Sequence, residues 1–194
     1  MIFMSKIGQI SLKDIHVGVF AGEGEAYENV TQIPGALSAK ITVKEGSTTF
    51  YSDDIAAETV NTLESVEIEI ETQGLSLEER ALLLGETVVK GAIAASVNDM
   101  AARPYIGLAF RSQKSNGEWR YCSIPKIKFT PVEEDYATKG EKVEMQSTKL
   151  TGIALPLETS GVYKVTADSD AVGIDKNWLN TFLTTIPQTT SSED

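Results

Sequence analysis

From Ser65 to Glu71 the chain reads Ser-Val-Glu-Ile-Glu-Ile-Glu, an unbroken alternation of aliphatic and carboxylate side chains. On a β-strand successive side chains point to opposite faces, so Val66, Ile68 and Ile70 fall on one side and Glu67, Glu69 and Glu71 on the other. A helix would scatter both sets around its circumference. The segment therefore predicts a strand with one dry face and one wet face. The same period recurs where Ile15, Val17 and Val19 alternate with Asp14 and His16, and again where Ala39, Ile41 and Val43 alternate with Lys40, Thr42 and Lys44.

Turn chemistry organises the rest. Tyr105–Arg111 and Trp119–Phe129 flank Lys114-Ser-Asn-Gly117, and Asn-Gly supplies the positive φ angles of a tight hairpin. Ile106, Leu108 and Phe110 form one predicted apolar row; Trp119, Tyr121, Ile127 and Phe129 form another. Closing strands are predicted over Glu144–Leu155 and Val162–Thr166, with Ser160-Gly161 as the turn between them. Ser76-Leu-Glu-Glu79 is a capping box that opens a short helix with Leu77, Ala81 and Leu84 on one face and Gly85 as its stop. A second helix is predicted from Asp175 to Pro187, carrying Trp178, Leu179, Phe182, Leu183 and Ile186; the stretch from Glu86 to Arg103 stays open between helix and strand. The pattern predicts a mainly β fold, a sandwich or partly closed barrel with one or two short helices. It predicts a single domain over residues 1–186, with 187–194 a polar tail.

Charge narrows the function classes. Among 194 residues, 17 basic and 28 acidic side chains leave a formal net charge of −11. A protein that grips nucleic acid or an anionic membrane needs cations for its phosphate contacts, so neither partner is expected. The single cysteine, Cys122, forbids an internal disulfide, and the single histidine, His16, forbids a two-histidine zinc site. The opening Met1-Ile-Phe-Met-Ser-Lys6 is too short for a signal-peptide core, and no apolar run has the ~18 residues of a membrane span. Synthesis in a cytosol is the expectation.

No catalytic or cofactor motif stands out, and no enzyme, cofactor or metal is expected. Ala21-Gly-Glu-Gly-Glu-Ala26 interleaves its glycines with glutamates, which repel a phosphate, and reads as an exposed loop. Asp168-Ser-Asp170 with Gly173 and Asp175 hints at a calcium loop, but the twelfth position is Leu179 rather than a glutamate, so a turn and a helix cap at Asp175 are the better account. His16 lies in a strand and Cys122 between Tyr121 and Ser123, with nothing to place a base beside a nucleophile. Glu133-Glu-Asp135 reads as a solvated charge run. The row Glu67, Glu69 and Glu71 carries two readings: an ordinary wet outer face, or the lining of a water-filled passage that keeps a polyanion from sticking.

Four further stretches follow in order. Gly35-Ala-Leu-Ser38 opens a strand that leads to Thr49-Phe-Tyr-Ser-Asp-Asp54 and Glu58; the alternating strand precedes Leu75-Ser-Leu-Glu-Glu-Arg-Ala-Leu-Leu-Leu-Gly85; then come Tyr105-Ile-Gly-Leu-Ala-Phe-Arg-Ser112 with Trp119-Arg-Tyr121, and Glu134-Asp-Tyr-Ala-Thr-Lys-Gly-Glu-Lys-Val-Glu144. With the opening Ile10-Ser-Leu-Lys-Asp-Ile15, this order resembles the major tail tube protein family of long, non-contractile-tailed bacteriophages (siphovirus major tail proteins). The resemblance runs to about Leu155; residues 162–194 do not share it.

The resemblance implies a structural virion protein assembled in the host cytoplasm. Copies would join into rings, hexameric in that family, and stack into a tail tube through which DNA passes without specific binding. Its partners would be further copies of itself, the tape measure protein and tail completion or baseplate proteins. A long inter-strand assembly loop would span residues 44–63, with Phe50, Tyr51, Asp53, Asp54 and Glu58 as its candidate contacts, and Glu67, Glu69 and Glu71 would face the lumen. The alternative for Phe50 and Tyr51 is a short core strand. Alternative functions are a tube-terminating or baseplate ring protein of a phage or tail-like particle, a glycan-binding β-sandwich using Trp119 and Tyr121, or a carboxylate-pair hydrolase.

Overall fold

The computed structural model describes residues 8–24, 27–52, 55–132 and 147–170; for residues 50–52, 55–58 and 98 it describes the backbone. Among the described residues, ten strands and two short helices follow one another as β1 (Gln9–Val19), β2 (Glu28–Ile33), β3 (Ala36–Ser52), β4 (Ile55–Thr72), α1 (Leu77–Leu84), β5 (Val88–Val89), β6 (Ala92–Ile93), α2 (Val97–Ala102), β7 (Ile106–Lys114), β8 (Trp119–Phe129), β9 (Thr148–Ala154) and β10 (Val165–Asp168). The fold is mainly β, as the alternation predicts, and its strands pair antiparallel. Eight strands form one sheet in the order β2-β1-β7-β8-β9-β4-β3, with β10 added to β8; β5 and β6 make a separate small hairpin.

β8 is the fork in this sheet. One of its edges pairs with β7. The other is shared, Arg120–Ser123 pairing with β10 and Ile127–Phe129 with β9. The sheet curls so that Ala39 and Ile41 of β3 face Phe110 of β7, Cys122 of β8 and Thr166 of β10 across one cleft, which gives two layers over a shared core. Val66, Ile68 and Ile70 are at most 1% exposed and lie among Ile15, Leu108, Ile127, Phe129 and Leu150. Burying that trio contributes roughly 5–9 kcal/mol relative to exposing it. A register slip of one residue would bury the three glutamates instead, so the pairing of β4 is fixed by its own composition.

α1 forms as its capping box predicts. The Glu79 amide donates to Ser76 Oγ at 3.2 Å, and the Ser76 amide donates to Glu79 Oε2 at 2.7 Å. Gly85 takes the left-handed conformation at φ 70° and closes the helix. The buried face is Leu83 and Leu84, however, while Leu77 is 40% exposed. The expected Leu77–Ala81–Leu84 stripe is thus rotated toward the last turn, where the chain meets the sheet. The open stretch 86–103 holds the β5–β6 hairpin and α2. The predicted strand over 162–166 lies slightly later, at Val165–Asp168. The helix predicted from Asp175, the tail 187–194 and Glu133–Asp135 lie outside the described residues.

One predicted row is corrected. Trp119 and Tyr121 do not share a face with Ile127 and Phe129. Tyr121 packs with Tyr27 and Ala109 on one side of β8, while Cys122, Ile124, Ile127 and Phe129 face the main core. The reason is a register slip between Ile106↔Ile127 and Leu108↔Ile124, two residues on β7 against three on β8, which inverts the phase of β8 around Pro125 and Lys126.

Candidate assembly site

Residues 44–52 and 55–63 are not an irregular loop. β3 and β4 continue pairing beyond the body of the sheet, from Glu45↔Leu63 out to Phe50↔Glu58 and Ser52↔Ile55. Their many threonines explain this, since β-branched side chains suit a pleated ribbon. Thr49 and Thr59 share a cross-strand hydroxyl contact at 3.2 Å, and Thr62 Oγ1 donates to the Gly46 carbonyl at 3.4 Å. The eight residues Glu45–Ser52 give the ribbon a reach of roughly 26 Å.

None of the arm's described side chains belongs to the core, and Val60 and Leu63 are about two-fifths exposed. An isolated two-stranded ribbon is marginal in water and gains stability by finding a further surface. Of the candidate contacts, Phe50 and Glu58 stand opposite each other in register, and Tyr51 lies opposite Ala56. Asp53 and Asp54 lie outside the described residues.

The glutamate row sits on the outer face of the same two strands. Lys40 stands opposite Glu69 and Thr42 opposite Glu67 on β3, while on β9 Ile153, Thr151 and Lys149 stand opposite Glu67, Glu69 and Glu71. One strand further, Lys128 of β8 faces Ile153. Lys44 pairs with Glu67, and Lys149 Nζ lies 3.0 Å from Glu69. Glu71 accepts from Ser38 Oγ at 3.3 Å and from Ser147 Oγ. All three glutamates are on the wet face, but four lysines (Lys40, Lys44, Lys128 and Lys149) share it with them. The face is therefore balanced in charge rather than anionic. Such exposed pairs contribute about 0–1 kcal/mol each, so their effect is on what the face attracts, not on folding. The polar phase of β3 was legible in the sequence; its pairing against β4 was not.

A second charged cluster closes the far end of the sheet. Lys114, only 1% exposed, reaches Asp170 at 2.8 Å and Asp168 at 3.4 Å. Arg120 grips Asp168 with two bonds, Nε at 2.6 Å and Nη2 at 2.8 Å. The Arg120 guanidinium holds the Asp168 carboxyl down to about 2, and Asp170 raises the Lys114 ammonium above its ordinary value. Ser169 completes the latch, its hydroxyl accepting from the Trp119 amide at 2.9 Å and donating to Glu118 at 2.8 Å. The Asp168-Ser-Asp170 segment thus fastens β10 to β7 and β8, its carboxylates taken by this chain's own cations. Gly173 and Asp175 lie outside the described residues.

The other singled-out residues have structural partners. Glu23 of the glycine-rich loop accepts from the amide and hydroxyl of Thr159, which hold its carboxyl below the usual range. His16 Nδ1 lies 3.0 Å from the Asp14 carbonyl, at a β1 bulge where Asp14 has φ 54° and binds Arg111 and Gln32. Cys122 is buried, and burial pushes its thiol up. Neither aromatic offers a bare platform for a sugar: Tyr121 is 3% exposed, and the Arg111 guanidinium lies 4.4 Å from the Trp119 ring centre.

No family model and no curated protein matches the chain. Among solved structures, a chain of the cryo-EM structure of the anti-feeding prophage (AFP) baseplate, 6-fold symmetrised, is similar at TM-score 0.43 and 8% identity, over 85% of this chain and 97% of that one.

Proposed function

We propose that this protein is a structural subunit of a phage tail or tail-like particle, and that its copies join into rings and stack into a tube. The supporting observation is the β3–β4 arm. It is a ribbon with a reach of roughly 26 Å that leaves the body, contributes none of its described side chains to the core, and exposes apolar residues on a chain otherwise well supplied with charge. A contact between unlike surfaces that does not close on itself propagates as a filament, which is what a stacked tube requires. The resemblance of the sequence to tail tube proteins points the same way.

The test uses the full-length protein, concentrated over a range of salt and imaged by negative-stain electron microscopy alongside sedimentation. Stacked tubes are expected. Replacing residues 46–62 by a two-residue Asn-Gly turn is expected to abolish stacking while the body still melts cooperatively. A wild type that stays monomeric at every concentration refutes the proposal. Rings that never stack favour the tube-terminating or baseplate ring reading, and tubes that persist without the arm remove its assigned role.

A further inference from the structure

Next to the root of the arm the sheet carries an apolar groove of about 280 Å³. Ile153 and Leu155 form its apolar wall, and Arg103 and Lys128 also line it. Ile153 is 47% and Leu155 37% exposed, a large apolar surface for a wet sheet face. Arg103 arrives from the end of α2 and is only partly satisfied. Its Nη1 donates to the Phe129 carbonyl at 3.1 Å, while its buried Nε has no hydrogen-bond partner among the described residues. A guanidinium carries five donors, and with Nε–H buried and one Nη1 donor on Phe129, the remaining Nη donors are those left for an acidic partner.

We propose that this groove receives the β3–β4 arm of a second copy of the chain. The inference rests on the assembly reading above and names the surface that the arm finds. Charge complementarity selects the occupant. From Glu45 to Glu79 the sequence contains no lysine or arginine, and residues 45–64 carry Glu45, Asp53, Asp54, Glu58 and Glu64 beside Phe50, Tyr51, Ile55, Val60 and Leu63. This is an acidic, apolar ribbon opposite an apolar groove with two cations.

Position makes the contact intermolecular. Ala154 pairs with Val66, so Leu155 adjoins the arm's root, whereas the arm's tip lies roughly 26 Å away. A copy's own tip cannot fold back into its own groove along a paired ribbon. Each copy therefore presents a plug and a socket at separate places, and every docking leaves one of each free for the next. The buried apolar wall would supply affinity, and the two cations would set register and partner.

A photo-cross-linking residue at position 153 of the full-length protein, in a mixture of isotopically light and heavy chains, tests this directly. The expected product joins position 153 of one copy to residues 45–63 of another. In parallel, Lys128→Glu is expected to raise the concentration for half-assembly about tenfold or more with an unchanged melting temperature. Adding Glu58→Lys is expected to restore part of that loss. Cross-links from position 153 to any other segment, in tubes that still need the arm, overturn the groove and leave the arm's role standing. So does a Lys128→Glu protein that assembles like the wild type. Tubes indifferent to deletion of the arm overturn both.

Discussion

Gly107 lies under the ring of Tyr27, and a methyl group added there has nowhere to go. Its Cβ would sit 2.3 Å from Tyr27 Cε1, 2.8 Å from Cδ1 and 2.9 Å from Cζ, against 3.4 Å or more in ordinary contact. The ring is held at both ends. Its hydroxyl donates to the Pro125 carbonyl at 2.8 Å, and its Cβ rests against the backbone at Gly18. Relief by sliding would break that bond at the bulge of β8. Overpacking costs about 1–3 kcal/mol, and a strained or lost hydrogen bond adds about 1 kcal/mol. For a chain of this size Gly107→Ala is expected to lower the melting temperature by about 5–15 °C, followed by circular dichroism. Tyr27→Leu removes the obstructing ring. In that background the same alanine is expected to cost less than about 0.5 kcal/mol, leaving a coupling energy of 1 kcal/mol or more across the cycle. Equal costs in the two backgrounds would refute the steric account.

Three smaller predictions test other parts of the structure. Asp168 is held at about 2, below its ordinary 3.8, so its ion pairs contribute fully above pH 4 and fade as the pH falls toward 2. Asp168→Asn is expected to lower the melting temperature at pH 7 and to flatten its decline between pH 4 and 2; an unchanged acid limb counts against the latch. The Cys122 thiol, buried and raised in pKa, is expected to resist thiol reagents at pH 8 and to label at the urea midpoint of unfolding, so fast labelling of the native protein contradicts its placement. Ser76→Ala removes the α1 cap and is expected to cost about 1 kcal/mol in urea titrations, with no loss at all arguing against the capping box.

What the sequence made legible follows from how local its causes are. The dry and wet faces of β4, the hairpin between β7 and β8, and the Ser76 cap are each written within seven or so consecutive residues, and each forms, although in the hairpin turn Gly117 alone of the Asn-Gly pair takes a positive φ. The row on β8 failed because its phase is set by a partner strand: the slip against Ile106 and Leu108 depends on β7, and no alternation within Trp119–Phe129 reveals it. The region around residues 44–63 reads as a loop when core pattern is the only guide. Its threonines encode a ribbon, yet a strand that buries neither face lacks the hydrophobic period on which such a reading depends. The groove was invisible for a different reason, since Arg103, Lys128 and Ile153 come from three elements far apart in the chain.

The glutamate row shows how charge and assembly constrain each other. With −11 overall, two copies repel at a distance, and the repulsion extends over about 10 Å at 0.1 M salt. Stacking must therefore be driven by contacts short enough to escape that screening: apolar burial, main-chain pairing, and cations placed where the partner is acidic. The four lysines beside Glu67, Glu69 and Glu71 meet this need on one face without changing the sign of the whole molecule. Added salt should then relieve the long-range repulsion before it weakens the close pairs. The protein is expected to assemble more readily as salt rises from about 10 mM toward physiological strength and to lose that gain well above it. Assembly that is strongest at the lowest salt and falls steadily from there would mean that long-range attraction drives the stacking, and a chain this acidic would then need a basic partner rather than another copy of itself.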